Sequence, residues 1–305
     1  MKHKLNRFIY RLLSSKISLG ISANRYFQKI LEKNVEYSYY LMGIGTGSAP
    51  DTSGEFTVLK MLKQGYVIDH NPLCIFDVGA NKGQFAELII NQIGDIPFRS
   101  HCFEPGKLTF DILHKMIGDH RNFTLNNCAL GRQGGKTDLF YDEPGSGLAS
   151  LSKRRLKHYD IEFSHSEKVK VDTLDNYCKN NDIQTIDLLK LDVEGHELDV
   201  LYGGINKIRD NRVKIISFEF GGCNVDTRIF FQDFFYFFNE NGNYDIFRIT
   251  PSGYLSQICN YSERYEQFSI SVFIAISRKG EENELTSAQL QGAAPDSFSV
   301  APESR

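Results

Sequence analysis

Leu73 to Gly83 reads Leu-Cys-Ile-Phe-Asp-Val-Gly-Ala-Asn-Lys-Gly, a short apolar run that stops at an acid and then turns between two glycines. Pro72 opens the run, and Phe85, Leu88, Ile89 and Ile93 recur at helical spacing from Gln84 onward. That pattern predicts a buried strand, a tight turn and an amphipathic helix. Gly79 and Gly83 allow backbone angles, or a close approach of a ligand, that a side chain would block. A strand, a glycine turn and a helix in that order predict an α/β sheet with a nucleotide-type site at the carboxyl edge of its strands.

A second strand, Phe98 to Phe103, also ends in an acid, in the segment Glu104-Pro105-Gly106. A carboxylate at the tip of the second strand can accept the hydroxyl protons of an adenosine ribose. The alternative is a solvated strand end before Pro105. The first turn reads Gly79-x-x-x-Gly83 and lacks the three-glycine pattern that carries a pyrophosphate. The pair therefore favours an adenosyl ligand without phosphates, of which S-adenosylmethionine is the commonest.

Alternation of strands and helices continues to about Lys279. Phe123 to Asn127 reads as a third strand, Ile186 to Val193 as an apolar fourth and Val213 to Glu219 as a fifth. Tyr244 to Thr250 and Phe268 to Ser277 read as a closing antiparallel pair. Lys136 to Tyr141 and Lys168 to Val171 read as short strands of an insertion, with Gly145-Ser146-Gly147 as a turn between them. A helix from Glu197 to Tyr202 is stopped by Gly203-Gly204. Phe230, Phe231, Phe234, Phe235, Phe237 and Phe238 describe a buried core helix rather than an aromatic ligand cage.

The chain ends divide differently. Lys2, Lys4, Arg7, Arg11, Lys16, Arg25, Lys29 and Lys33 stand against Glu32 alone up to Asn34, with Leu5, Phe8, Ile9, Leu12 and Leu13 as an apolar stripe. Two readings stay open: a basic helix lying on an anionic membrane surface, or a helix packed on its own domain. Arg11 and Lys16 interrupt the apolar stretch, so a cleaved signal peptide is not expected. Gly43 to Gly54 reads as a loop that can close over a ligand. Beyond Gly280 the chain is polar and rich in Gly, Ala, Pro and Ser, which predicts disorder. The expected organisation is a helical extension and linker over 1–50, a catalytic domain over 51–280 and a tail over 281–305.

Composition sets outer bounds. With 41% hydrophobic and 24% charged residues among 305, the chain can build one main core. A net charge of −3 lacks the basic footprint of a nucleic-acid binder. Cys74, Cys102, Cys128, Cys178, Cys223 and Cys259 form no C-x-x-C pair, which suits reduced thiols in a cytosolic protein. No apolar run reaches the ~18 residues of a membrane span.

The second dense cluster is Leu188-Leu189-Lys190-Leu191-Asp192-Val193-Glu194-Gly195-His196-Glu197, which puts carboxylates and an imidazole at the end of the fourth strand. In an open α/β sheet that edge faces the same crevice as Asp77 and Glu104. The series DVGANKG, FEP, NNCALG, VDTLD, LLKLDVEGHE and ISFEF resembles the FkbM-type methyltransferases, a branch of the class I S-adenosylmethionine-dependent methyltransferases. The resemblance runs from about Leu73 to Lys279, and DVGAN and KLDVEG are its most specific parts.

It implies a Rossmann-like, seven-stranded, mostly parallel sheet in the order 3-2-1-4-5-7-6, with helices on both faces and strand 7 antiparallel. It implies that Asp77, Gly79, Ala80, Asn81 and Gly83 surround the methionine part of S-adenosylmethionine, that Glu104 holds the ribose, and that Asn127 to Ala129 border the adenine. It further implies O-methylation of a hydroxyl on a sugar of a glycan or on a natural product.

Ser146, Ser150 and Arg154 of the insertion are candidates for glycan contact, set against an ordinary solvated loop. The candidate proton acceptors, in order, are Asp192, Glu194, His196 and Glu219. His196 suits a base at neutral pH, and Glu194 has the alternative of capping the following helix. Asp192 and Glu219 would suit Mg²⁺, but metal-independent transfer is the expectation. The competing readings are a nicotinamide-dependent oxidoreductase and a non-catalytic membrane-associated scaffold. The expected location is the cytoplasm, with the inner face of the membrane as its variant.

Overall fold

The computed structural model describes residues 16–46, 53–65 and 72–278. The apolar stripe from Leu5 to Leu13, the middle of the Gly43 to Gly54 loop and the tail beyond Gly280 lie outside the described residues. The chain divides into two compact units, one ending at Met42 and one beginning at Gly43.

In the first unit, α1 (Lys16–Ser22) is followed by α2 (Arg25–Leu41). Asn24 starts α2 in extended backbone, its side-chain oxygen accepting the Tyr26 and Phe27 amides. That is the usual chemistry of an N-cap.

The second unit opens with α3 (Glu55–Lys63). The sheet then begins with β1 (Leu73–Val78), α4 (Gln84–Ile93), β2 (Phe98–Phe103), α5 (Lys107–Ile117) and β3 (Phe123–Asn126). Short β4 (Ala129–Leu130) leads to the insertion strands β5 (Gly135–Tyr141) and β6 (His165–Asp172). The order resumes with α6 (Leu174–Asn180), β7 (Ile186–Leu191), α7 (Glu197–Gly203), α8 (Ile205–Arg209) and β8 (Val213–Phe220). It closes with α9 (Cys223–Thr227), α10 (Phe231–Asn241), β9 (Tyr244–Ile249), β10 (Leu255–Gln257) and β11 (Ser271–Ser277).

The main sheet runs β10-β9-β11-β8-β7-β1-β2-β3. β3, β2, β1, β7 and β8 pair in parallel, and β11 runs antiparallel to both β8 and β9. Read by rank, this is the expected 3-2-1-4-5-7-6 order with one strand added, because β10 pairs antiparallel with β9 and takes the edge. The eighth strand was not legible beforehand: three residues are too short to show a period.

Both faces of the sheet are buried, and strand alternation sorts the side chains between them. Phe76, Val78, Phe103, Leu189, Leu191 and Phe218 face a core shared with α6, α7 and α10. The phenylalanines of α10 belong to that core: Phe231, Phe234, Phe237 and Phe238 are buried, whereas Phe230 stays exposed. Leu73, Ile75, Cys102, Leu188 and Ile215 face α3, α4 and α5.

The fourth strand departs from its apolar reading, because β7 carries the buried Asp187 and Lys190. Asp187 accepts the Cys74 amide at 2.8 Å. The insertion forms its own three-stranded sheet, β4-β6-β5, with β5 and β6 paired antiparallel from Gly135–Val171 to Tyr141–His165. Its link from β5 to β6 returns to β5 through a bridge between Phe140 and Ser150.

Candidate active site

The period of two that sorts the core also gathers the acids. Asp77 lies opposite Cys102 on β2 and Lys190 on β7, and Lys190 lies opposite Ser217 on β8. Stepping two residues toward the carboxyl edge from Cys102, Lys190 and Ser217 reaches Glu104, Asp192 and Glu219. All of these therefore emerge on the face covered by α3 and α4.

Lys190 Nζ lies 3.4 Å from Asp77 Oδ1 and 3.3 Å from Asp192 Oδ2. Glu55, at the start of α3, joins the group from above; it is buried and accepts from Ser53 Oγ at 3.1 Å. Burial alone would depress the Lys190 ammonium, but Asp192, Asp77, Glu55 and Glu219 outweigh it and hold its pKa well above the ordinary value. Burial in turn raises Asp77, Glu55 and Glu219 above the usual carboxylate range. Four carboxyl groups thus gather around one ammonium at the strand tips, and burial pushes three of them toward the protonated form. Both Asp77 oxygens are buried without an aligned hydrogen-bond donor, and Lys190 is their ionic partner.

The turn after β1 explains its glycine. Gly79 has φ +86°, and a Cβ there would sit 1.8 Å from the Asp192 carbonyl oxygen. Two loops cross at that point, and only a bare backbone fits. Gly79 and Ala80 both donate to the Phe103 carbonyl at 3.0 Å. Asn81, with φ 49°, points its amide at Glu104 Oε2 at 3.1 Å, and the Gly106 amide donates to Glu104 Oε1 at 2.8 Å. Burial lifts the Glu104 carboxyl to about 7 despite those two amides. Each oxygen keeps lone pairs for a further donor.

A cavity enclosing about 620 Å³ of atom-free space, its open mouth included, lies over this edge. Gly79, Asn81, Glu104, Ala129, Asp192 and Glu194 line it among the anticipated residues. Leu139, Ala149 and Leu151 of the insertion form an apolar wall, and Ser146 and Ser150 add two hydroxyls.

Other anticipated residues stand off the lining. Asp77 lies behind it in the acid cluster. Ala80 is buried. Gly83 starts α4, and a Cβ there would press on Leu113 and Met116 of α5. Asn127 donates its side-chain amide to the Glu104 and Pro105 carbonyls, so it braces the β2 loop. Glu219 belongs to the Lys190 cluster.

His196 is held at both ring nitrogens, Nδ1 by Asp199 at 2.9 Å and Nε2 by Ser152 Oγ at 3.0 Å. Glu194 sits at φ 52° on the turn after β7 and is paired with Arg154 of the insertion. Burial first, and then Asp192, raise its carboxyl to about 8, while Arg154 opposes the shift.

The role of accepting the turn amides falls to Glu197 instead. Its Oε1 takes the Val193 and Gly195 N–H groups, both at 3.1 Å. Arg154 also approaches Asp226 at 3.8 Å, and Ser150 Oγ donates to the Glu194 carbonyl at 2.9 Å. The insertion is therefore bolted to the β7 loop and does not read as a free solvated loop.

The sequence reading passed over Lys190, Glu55 and Glu197. Lys190 alone left a signal, a charge inside an otherwise apolar strand. Among the described residues, no three His, Cys, Asp or Glu side chains converge as a metal site.

Residues 77–244 match the model of the methyltransferase FkbM domain. The chain belongs to the FkbM methyltransferase family. It is 28% identical over 148 residues to the 2-O-methyltransferase NoeI of Sinorhizobium fredii (strain NBRC 101917 / NGR234), a match covering 45% of this chain and 60% of that protein. The chain thus spans about three fifths of that curated relative.

Among solved structures it is similar to the methyltransferase FkbM from Methylobacillus flagellatus KT, at 15% identity and a TM-score of 0.43, over 71% of this chain and 47% of that one. It is also similar to the N-terminal domain of human METTL16 in complex with SAH, at 10% identity and a TM-score of 0.36, over 72% and 66% of the two chains. Likenesses at that level say nothing about chemistry.

The residues present fit an adenosyl cofactor. Glu104 offers a buried acceptor beside a turn that tolerates no side chain.

Proposed function

We propose that this protein is an S-adenosylmethionine-dependent O-methyltransferase whose acceptor is a sugar hydroxyl of a glycan. The observation that carries the reading is Glu104, held at the tip of β2 by the Asn81 and Gly106 amides beside Gly79. A ribose diol placed there would complete the unfilled acceptor capacity of a buried carboxylate. S-adenosylmethionine, when bound, supplies a methyl group on a positively charged sulfur.

The chain's own contribution is alignment and charge. Asp192 lines the cavity two residues beyond Lys190, its Oδ2 3.3 Å from the Lys190 ammonium. In this reading it orients an acceptor hydroxyl and takes its proton during an in-line displacement. Glu194, tied to Arg154, fixes the insertion wall. His196, with both nitrogens engaged, serves that wall through Ser152. The sugar reading draws on the name of the 2-O-methyltransferase relative and on the Ser146 hydroxyl in the cavity lining.

The test is methyl transfer from labelled S-adenosylmethionine to a panel of oligosaccharides and of polyketide or peptide hydroxyls. Asp192→Asn is expected to lower turnover far more than S-adenosylhomocysteine affinity. Wild-type turnover in that variant would remove Asp192 from the mechanism. Transfer confined to polyketide or peptide acceptors would overturn the glycan assignment while leaving the cofactor assignment intact.

A further inference from the structure

Helix α2, Arg25–Leu41, is 17 residues long and none of them is buried. Yet one side of it is apolar. Tyr26, Ile30, Tyr37 and Leu41 follow the four- and seven-residue spacing of a single helix row, and Phe27 and Leu31 begin the next row, which Asn34 and Ser38 continue as polar residues. Tyr26 is 79% exposed, Ile30 60% and Tyr37 65%, far above what a packed face shows. Gln28, Glu32 and Glu36 occupy the opposite side. Lys29 and Lys33 lie three residues on from Tyr26 and Ile30, where long basic side chains border the apolar face and can reach outward from it. Lys33 also pairs with Glu36 at 2.6 Å, with both groups well exposed, an arrangement that is weak in water.

We propose that α2 docks this protein on an anionic lipid bilayer, lying along the surface with the Tyr26–Ile30–Tyr37–Leu41 row in the headgroup boundary. Charge complementarity selects that occupant. Residues 1–34 carry Lys2, Lys4, Arg7, Arg11, Lys16, Arg25, Lys29 and Lys33 against Glu32, although the whole chain has a net charge of −3. Within α2 itself Arg25, Lys29 and Lys33 outnumber Glu32 and Glu36, and the sequence preceding the helix is richer still in lysine and arginine, as an interfacial helix requires. The aromatic content agrees: the phenol rings of Tyr26, Tyr37 and Tyr40 combine an apolar body with a polar tip suited to the membrane–water boundary.

Two other arrangements fit less well. Among the described residues no helix is long and apolar enough to cross a membrane, so α2 lies on the surface. A paired helix from a second copy would have fewer than the ~3–4 heptads that sustain a coiled coil, and it would bring two basic segments together.

The experiment uses the full chain with sedimenting vesicles of phosphatidylcholine alone and of phosphatidylcholine with phosphatidylglycerol. Association about tenfold stronger with the anionic vesicles is expected, reduced about tenfold by Arg25→Glu with Lys29→Glu. Phe27→Asp with Ile30→Asp is expected to abolish it, and circular dichroism would verify that both variants stay folded. Equal sedimentation with and without vesicles would overturn the proposal, as would binding that ignores both pairs of substitutions. Light scattering covers the remaining occupant: a dimer dissolved by Ile30→Asp, with no vesicle binding, would make the face a self-interface and refute the membrane assignment.

Discussion

Glu104 concentrates the chemistry of single residues. Its carboxyl titrates near 7 because burial opposes ionisation more than two amides favour it. Ribose hydroxyls donate to the ionised form, so ligand binding should pull the proton off. S-adenosylhomocysteine affinity should therefore be full above about pH 8 and fall about tenfold per unit once the pH drops below 7. At pH 7 binding should release protons, seen by calorimetry as an enthalpy that depends on the buffer. Glu104→Gln should lose that release and bind about tenfold or more weakly, because bonds to a charged group contribute about 1.5–3 kcal/mol. Unchanged affinity and unchanged proton release would remove Glu104 from the ribose site.

Gly79 gives a second test at the same scale. A Cβ there would meet the Asp192 carbonyl at 1.8 Å, from a backbone angle of +86°. Gly79→Ala should cost on the order of 1–3 kcal/mol from backbone conformation alone, with further loss from the collision. A lowered melting temperature together with lost S-adenosylhomocysteine binding is the expected result.

Among the elements, β7 decides most. Its pairing with β1 sets Lys190 opposite Asp77, and that register turns two separate charges into a buried pair. Lys190→Met would leave Asp77 buried without its partner. Breaking such a pair costs about 3–5 kcal/mol. Urea unfolding at pH 8 should show that loss, and acidification should shrink it as the orphaned carboxylates take up protons. A loss that grows on acidification would contradict the account.

The elements also show where sequence patterning was sufficient. β1, β2 and α4 were legible because an apolar run and a 3.6-residue period are local properties. β10 was not, since its three residues are defined by β9 alongside them. Glu197 was missed for a related reason: Glu194 and Glu197 are equally acidic on paper. Only the positive φ at Glu194 sends one to Arg154 and leaves the other under the turn amides.

At the scale of the whole molecule, two units divide at Met42, and both core faces of the sheet are built from residues after Gly43. A chain lacking residues 1–42 should therefore fold and bind S-adenosylhomocysteine with wild-type affinity, as circular dichroism and calorimetry would show. Loss of folding would mean that the first unit contributes to the core.

The sequence by itself determined the α/β class, the strand succession around the glycine turn, and the acids at the strand tips, because hydrophobic period and turn chemistry act over a few residues. Only the tertiary structure decided which acids share an ammonium, which carboxylate faces the cavity, and that the insertion is bolted over it through Arg154. Those outcomes depend on register and loop crossing between segments far apart in the chain, where the distances that set electrostatics and hydrogen bonding first come into being.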